Sequence, residues 1–252
     1  MKYYVASDVH GFYSELHQAL EKAGFFSDTA PHKLVLLGDL FDRGKEAVEM
    51  QDFVLDLMEK NEVILIRGNH EDLFEMFIDQ DNGGRLRHHV KNGTYGTALQ
   101  LTGFNLEKTA ANQRAFTEAA RQTPLYHRII PAMQNYHETR NYIFVHGWIP
   151  CDGDWLHGYR YDEDWRDAPD FKWDEARWYN GMVASEIIRA DKTIVCGHWH
   201  ASFGHARYEH RGSEFGDDAD FTPYYGPGII AIDACTAHSG FVNVLVIEDE
   251  PL

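Results

Sequence analysis

Five short polar clusters recur along this 252-residue chain, each directly after an apolar run. They are Asp8-Val9-His10, Gly38-Asp39-Leu40-Phe41-Asp42-Arg43-Gly44, Gly68-Asn69-His70-Glu71, His146-Gly147 and Gly197-His198-Trp199-His200. Carboxylate oxygen and imidazole nitrogen are donors that divalent ions such as Mn²⁺, Fe²⁺ and Zn²⁺ favour. A pair of such ions about 3.5–4 Å apart also needs one ligand shared between them. Asp39 is the natural bridge, with Asp8 and His10 on one side and Asn69, His146 and His198 on the other. The neighbouring glycines, Gly38, Gly68, Gly147 and Gly197, allow sharp turns and close backbone approach. Such a donor set points to chemistry on a phosphoester.

Taken singly, each cluster is weak. An Asp-x-His pair after a strand is commonly a cap or turn, a lone Gly-Asn-His is a turn, and a lone His-Gly is a strand end. The combination carries the weight, because it would require five independent coincidences at successive strand ends.

The elements that must position these clusters follow from the apolar runs. Residues 3–7, 34–37 and 63–66 are short, β-branched or aromatic stretches, as in strands covered on both faces. Between them, residues 12–22 and 46–59 have helical spacing, the second through Val48, Phe53, Val54, Leu57 and Met58. Strand alternating with helix predicts parallel pairing, with ligands at the carboxyl ends of the strands. From Asp72 to about Asn141 the pattern turns helical and polar, punctuated by Gly83-Gly84, Gly93, Pro124 and Pro131. It predicts a helical insertion over the site. Residues 142–145 and 193–196 predict further strands, 173–190 an amphipathic helix, and 228–234 with 241–247 a late strand pair. The expected fold is therefore α/β, with mixed β-sheets flanked by helices, in one catalytic domain spanning 1–252 with a helical insertion at about 72–141. Residues 151–169, with Trp155 and Trp165, and 209–227 read as surface loops, or more sharply as walls of a substrate cleft.

With 40 acidic against 23 basic residues the formal charge is −17. That field repels duplex nucleic acid and anionic membranes. Bound cations would reverse its sign locally. Cys151, Cys196 and Cys235 lack the spacing of a zinc or redox pair. The chain passes from Met1 straight into a strand, leaving no room for a signal peptide, and no apolar run has membrane-spanning length. These features predict a cytoplasmic protein.

Rival motifs fail. Residues 38–45 superficially suggest a phosphate-binding loop, but Glu46 stands where Ser or Thr is required. His70-Glu71 has no second histidine at zincin spacing, and Ser239 lacks a nucleophile-elbow context.

The order of the motifs resembles the calcineurin-like metallophosphoesterase superfamily. Within it, GDLFDRG and GNHE resemble the phosphoprotein phosphatases, especially the compact bacterial and phage Ser/Thr phosphatases, a family that also includes symmetrical diadenosine tetraphosphate hydrolases. The resemblance extends to the last strands around Asp233. It implies two divalent metal ions, manganese first, with iron or zinc as alternatives. One would be held by Asp8, His10 and Asp39, the other by Asp39, Asn69, His146 and His198. It also implies that Arg43 binds phosphate oxygens and that His70, oriented by Asp42, protonates the leaving alkoxide. Hydrolysis would proceed by direct in-line attack of a metal-bound hydroxide on a phosphorylated protein, a small phosphoester or a dinucleotide. Two positions depart from the family pattern. Arg177, in Glu175-Ala176-Arg177-Trp178, is a candidate second phosphate binder or a solvated helix arginine. His200 is a candidate ligand of the kind found in the phosphodiesterase-like branch, or a residue outside the metal shell. A non-catalytic scaffold is disfavoured, because every expected ligand is present with Arg43 and His70.

Overall fold

The computed structural model describes residues 1–79, 86–154, 158–161, 164–188 and 190–252. Gly83-Gly84 and Trp155, singled out above, lie outside the described residues. The strands are β1 (Lys2–Ala6), β2 (His32–Leu36), β3 (Val63–Leu65), β4 (His137–Glu138), β5 (Tyr142–Phe144) and β6 (Cys151–Asp154). They continue with β7 (Gly158–Tyr161), β8 (Thr193–Cys196), β9 (Tyr224–Gly226), β10 (Ile229–Ala231) and β11 (Leu245–Glu248). One sheet has the order β11-β1-β2-β3, a second β4-β5-β8-β10-β9, and β6 with β7 forms a separate hairpin.

Strands β1, β2 and β3 pair in parallel, as their alternation with helices α1 (Tyr13–Ala23) and α2 (Ala47–Glu59) predicts. Antiparallel β11 closes the edge beside β1, so the sheet is mixed. Period-two alternation explains the layering. On β1, Tyr4 and Ala6 face a core built with α1 and α2, whereas Tyr3 and Val5 face the second sheet. There they meet Phe144, Val195 and Ile232, so the two sheets share an apolar seam with helices outside each.

Between β3 and β4 come α3 (Asn69–Asp79), α4 (Leu86–Asn92), α5 (Thr94–Thr102), α6 (Leu106–Ala111), α7 (Gln113–Arg121) and α8 (Ile130–Ala132). Ala98, Phe116, Ala120 and Leu125 from this segment join the core over the first sheet.

Four local expectations are corrected. Residues 173–190 do not form one helix; α9 (Asp170–Ala176) stops and α10 (Gly181–Ser185) restarts at Asn180, whose side chain accepts from Met182 N and Val183 N as an N-cap. The late strands do not pair: β10 lies between β8 and β9, and β11 lies on β1. Val48 does not face the core; it is 42% exposed, and α2 buries Ala47, Met50, Gln51, Val54 and Leu57 instead. The two stretches read as loops contain strands, β6 and β7 in one and β9 in the other. The remaining helices are α11 (Ala201–Tyr208) and α12 (Thr236–Ser239). Among the described residues, no helix is long and apolar enough to cross a membrane.

One ion-pair group ties distant segments to β4. Glu138 accepts from Arg166 Nε at 2.9 Å and Nη2 at 2.6 Å and pairs with Lys192 Nζ at 2.7 Å, while Arg166 also lies 4.3 Å from the Trp165 ring centroid. The Arg166 hydrogen bonds, helped by Lys192, hold the Glu138 carboxyl down at about 2. A depressed carboxyl contributes stability above its ordinary range, and this is lost as pH falls from about 4.5 toward 2. Glu138→Gln should therefore cost on the order of 2 kcal/mol at pH 7 and much less at pH 3, read from urea midpoints of both proteins. An equal gap at the two pH values would remove Glu138 from this role.

Candidate metal centre

The loops after β1, β2, β3, β5 and β8 meet at one end of the two sheets. Those after β1 and β2 are laced together by His10 N to Asp39 O at 2.9 Å, Gly11 N to Leu40 O at 2.8 Å and Gly44 N to His10 O at 2.7 Å. Among the described residues, nine non-glycine positions have positive φ, and six of them are Asp8, His10, Asp39, Asp42, Arg43 and His198. Left-handed backbone costs an L-residue about 1–2 kcal/mol, so its concentration here marks a site imposed by its surroundings. At Gly68 the backbone itself must approach: a Cβ there would stand 2.3 Å from Asp39 Oδ1.

Asp39 is the centre of the arrangement. Its Oδ2 lies 3.9 Å from both His10 Nε2 and His70 Nε2, and its Oδ1 lies 3.4 Å from His146 Nε2. Among the described residues, donor atoms converge in two groups, His10 with Asp39 and His70, and Asp39 with His146 and His198, each within 4.8 Å. Backbone carbonyls orient two of the rings. His10 Nδ1 donates to Phe41 O at 3.1 Å and His146 Nδ1 to Leu37 O at 2.7 Å, which turns each Nε2 lone pair inward. His146 Nε2 then faces Asn69 Oδ1 at 2.9 Å as well as Asp39. Burial pushes His198 down to about 3, aided by His146, and burial with Arg43 pushes His10 well below the usual imidazole range. Both rings are neutral donors at pH 7.

The carboxylates test whether cations fit. Asp8, Asp39 and Asp233 are buried, and among the described residues none of them pairs with a lysine or arginine. Burial raises Asp8, with the Asp39 carboxylate adding to the rise against His146, and burial with Asp8 raises Asp233 well above the carboxylate range. Buried carboxylates without a lysine or arginine partner, beside inward-facing lone pairs, are a poor apolar core and a good cation cage. The donor set therefore fits divalent ions.

The other expected residues are distributed as follows. Asp8 Oδ2 accepts from Ser7 Oγ and from His198 N at 2.9 Å, so it joins the loops after β1 and β8. His70 Nδ1 donates to Asp42 Oδ2 at 2.7 Å. Burial opposes charge on His70, but Asp39 and Asp42 hold it up to about 9. Arg43 lies across the mouth, Nη1 at 2.8 Å from His10 Nε2 and Nη2 at 3.3 Å from His70 Nε2. Arg177 is not brought to this cluster: among the described residues its guanidinium bonds go to Asp72, Asn135 and Asp174. His200 also lies apart, with Nε2 2.7 Å from Glu214 Oε1.

Glu71 was given no role by sequence. Its carboxylate accepts from Asp39 N at 2.9 Å, Leu40 N at 3.0 Å and Gly68 N at 2.9 Å, pinning the Asp39 loop to that after β3. Burial and Asp39 raise it to about 7. The signal was present in GNHE, but its partners could be identified only once the loops met. Asp233 was equally hidden, because its buried neighbour Asp8 is remote in sequence.

The family profile described as calcineurin-like phosphoesterase matches residues 1–238, and the chain belongs to that family. Among curated relatives, the asymmetrical bis(5'-nucleosyl)-tetraphosphatase PrpE of Halalkalibacterium halodurans is 30% identical over 134 residues, covering 50% of this chain and 52% of its own. PrpE of Bacillus subtilis is 30% identical over 132 residues, again covering 50% of this chain and 52% of its own. The chain thus spans about half the length of the curated relatives it matches. The solved cold-active protein-tyrosine phosphatase of a Shewanella species is 20% identical with a TM-score of 0.57, covering 98% of this chain and 75% of that one. A putative diadenosine tetraphosphatase is 14% identical with a TM-score of 0.51, covering 98% and 89%. At these identities the likeness to solved structures is one of fold.

Because His200 Nε2 is bonded to Glu214 and His200 stands outside both donor groups, His200→Ala should retain wild-type metal stoichiometry in elemental analysis of the purified protein. Loss of one ion would return His200 to the ligand set.

Proposed function

We propose that this chain is a two-metal phosphoester hydrolase acting on phosphomonoesters. One observation supports it above the rest: a single buried carboxylate, Asp39, turns one oxygen toward His146 and the other toward His10 and His70. That is the disposition a shared ligand requires. In this reading Asp8, His10 and Asp39 hold one ion, and Asp39, Asn69, His146 and His198 hold the other. Manganese suits the oxygen and nitrogen donors, with iron and zinc as alternatives. When bound, the ions would activate water and offset charge on the phosphoryl group.

The chain's own residues supply the remaining work. Arg43 Nη2 lies 3.3 Å from His70 Nε2, so both side chains are near enough to serve one anionic oxygen. His70 is held through Nδ1 by Asp42, so in this reading it serves as a proton donor rather than a ligand. Its Nε2–H would pass to the oxygen leaving phosphorus while Asp42 holds the ring by Nδ1. General acid catalysis matters most for a poor leaving group such as a serine alkoxide, and this supports a phosphomonoester such as a phosphorylated protein.

A second reading is cleavage of a dinucleoside tetraphosphate, which the names of the PrpE relatives favour. Trp178, 50% exposed and edge-on to His198 with centroids 5.9 Å apart, offers an aromatic face beside the site. Against it, Trp178 shares its cleft of about 380 Å³ with Asp72, Glu75, Asp79 and Asp174 and a single cation, Arg67, so the lining carries net negative charge that disfavours a long polyanion. Cys196 and Cys235 carry free thiols, which supports a cytoplasmic setting.

Parallel rates on a phosphoserine peptide, diadenosine tetraphosphate and an aryl diester, with Mn²⁺, Fe²⁺ or Zn²⁺ supplied, separate the readings. Chelation should abolish hydrolysis and Mn²⁺ should restore it. Asp39→Asn should reduce turnover at least about 1000-fold and lower the occupancy of both ions. Near wild-type activity with full metal content in Asp39→Asn would overturn the scheme.

A further inference from the structure

We infer that one face of α5, with the glycine that precedes it, clamps the turn carrying Asp42 and Arg43, and that Thr94 and Thr97 are positioning residues of the Asp42–His70 pair. This rests on the hydrolase reading above. Positions 93, 97 and 100 recur at intervals of four and three, so they share one side of the helix. That side grips residues 42–47. Thr97 Oγ1 donates to Asp42 Oδ1 at 2.8 Å and accepts from Asp42 N at 2.9 Å. Thr94 Oγ1 donates to Asp42 Oδ2 at 2.9 Å. Gln100 Nε2 donates to Gly44 O at 3.0 Å, and its Oε1 accepts from Ala47 N at 3.1 Å. Gly93, at φ +95°, makes room for the turn: a Cβ there would stand 2.2 Å from Arg43 N.

The turn needs a clamp. Asp42 and Arg43 are consecutive non-glycine residues at φ 73° and 62°, a conformation that an unsupported chain would leave. Asp42 is 2% exposed, and its carboxylate accepts from three side chains: Thr94, Thr97 and His70. Removing the hydroxyls leaves a buried carboxylate with one side-chain donor, free to rotate toward other partners and carry the His70 ring with it. Neither threonine touches the reacting atoms. They act through Asp42 on the direction of His70 Nε2–H.

This role predicts dependence on the leaving group. As water's oxygen bonds to phosphorus, the bond to the departing oxygen breaks and that oxygen takes the His70 proton. A p-nitrophenolate departs without it, whereas a serine alkoxide does not. The test uses the full chain loaded with Mn²⁺, comparing kcat/KM for a phosphoserine peptide and for p-nitrophenyl phosphate. Thr97→Val should lose about 10- to 100-fold on the peptide and less than about 3-fold on the aryl ester, with metal content unchanged. Thr97→Ser, which keeps both hydrogen bonds, should restore the peptide rate. Thr94→Val retains the bond to Asp42 N, and should show the same split where Thr97→Val fails to fold. Equal losses on both substrates, or no loss on either, would overturn the clamp. A wild-type chain inactive on both substrates would instead defeat the hydrolase reading.

Discussion

The structure is organised around buried negative charge without a lysine or arginine to neutralise it. Asp8, Asp39 and Asp233 are buried in one place, with imidazole lone pairs directed at the same space. Several kcal/mol of desolvation opposes each such carboxylate. An arrangement this unfavourable persists only where the surrounding fold imposes it and a cation resolves it. The fold imposes it through pairs of loops, each loop bound to the next, so that no candidate ligand rests on its own turn alone. Glu71 illustrates this: one side chain accepts three backbone N–H groups from two loops and thereby fixes Asp39.

The sheet explains why these loops are neighbours. Parallel pairing of β1, β2 and β3 brings their carboxyl ends to one edge, and parallel pairing of β5, β8 and β10 does the same in the second sheet. The seam of Tyr3, Val5, Val35, Leu37, Phe144 and Val195 then brings the two edges together. Apolar packing between sheets therefore sets the distance between Asp39 and His146. The strained left-handed residues sit where each strand ends and regular pairing can no longer dictate the backbone.

Much of this was legible in the sequence, because strand and loop chemistry are local. Short apolar runs gave β1, β2, β3 and β8 to within a residue or two, and the polar residues that follow them did converge. What stayed hidden depends on contacts remote in sequence. Asp42 and Thr97 are 55 positions apart, and Arg177 and Asp72 are 105 apart. Nothing local to Arg177 indicates that Asp72 and Asp174 will claim its guanidinium. The late strands were misjudged for the same reason, since β11 takes its place from β1 at the opposite end of the chain. The break between α9 and α10 was different, because Asn180 is a local capping signal outweighed by apolar periodicity on either side.

The helical segment between β3 and β4 belongs to the site as much as to the core. Helix α5 has two faces with separate tasks. Ala98 is fully buried among Phe77, Phe116 and Ala120, with Tyr95 and Leu99 packed against the same cluster. The adjoining face carries the threonines that hold Asp42, with Thr94 one turn before Ala98. Close-packed interiors are stiff, so the position of the hydroxyls is set by the packing behind them. The strain at Asp42 and Arg43 is local, but the interactions that sustain it are spread over the helices that cover the first sheet. Core packing, helix position, turn geometry and the aim of one imidazole proton thus form a single causal chain, in which each step constrains the next.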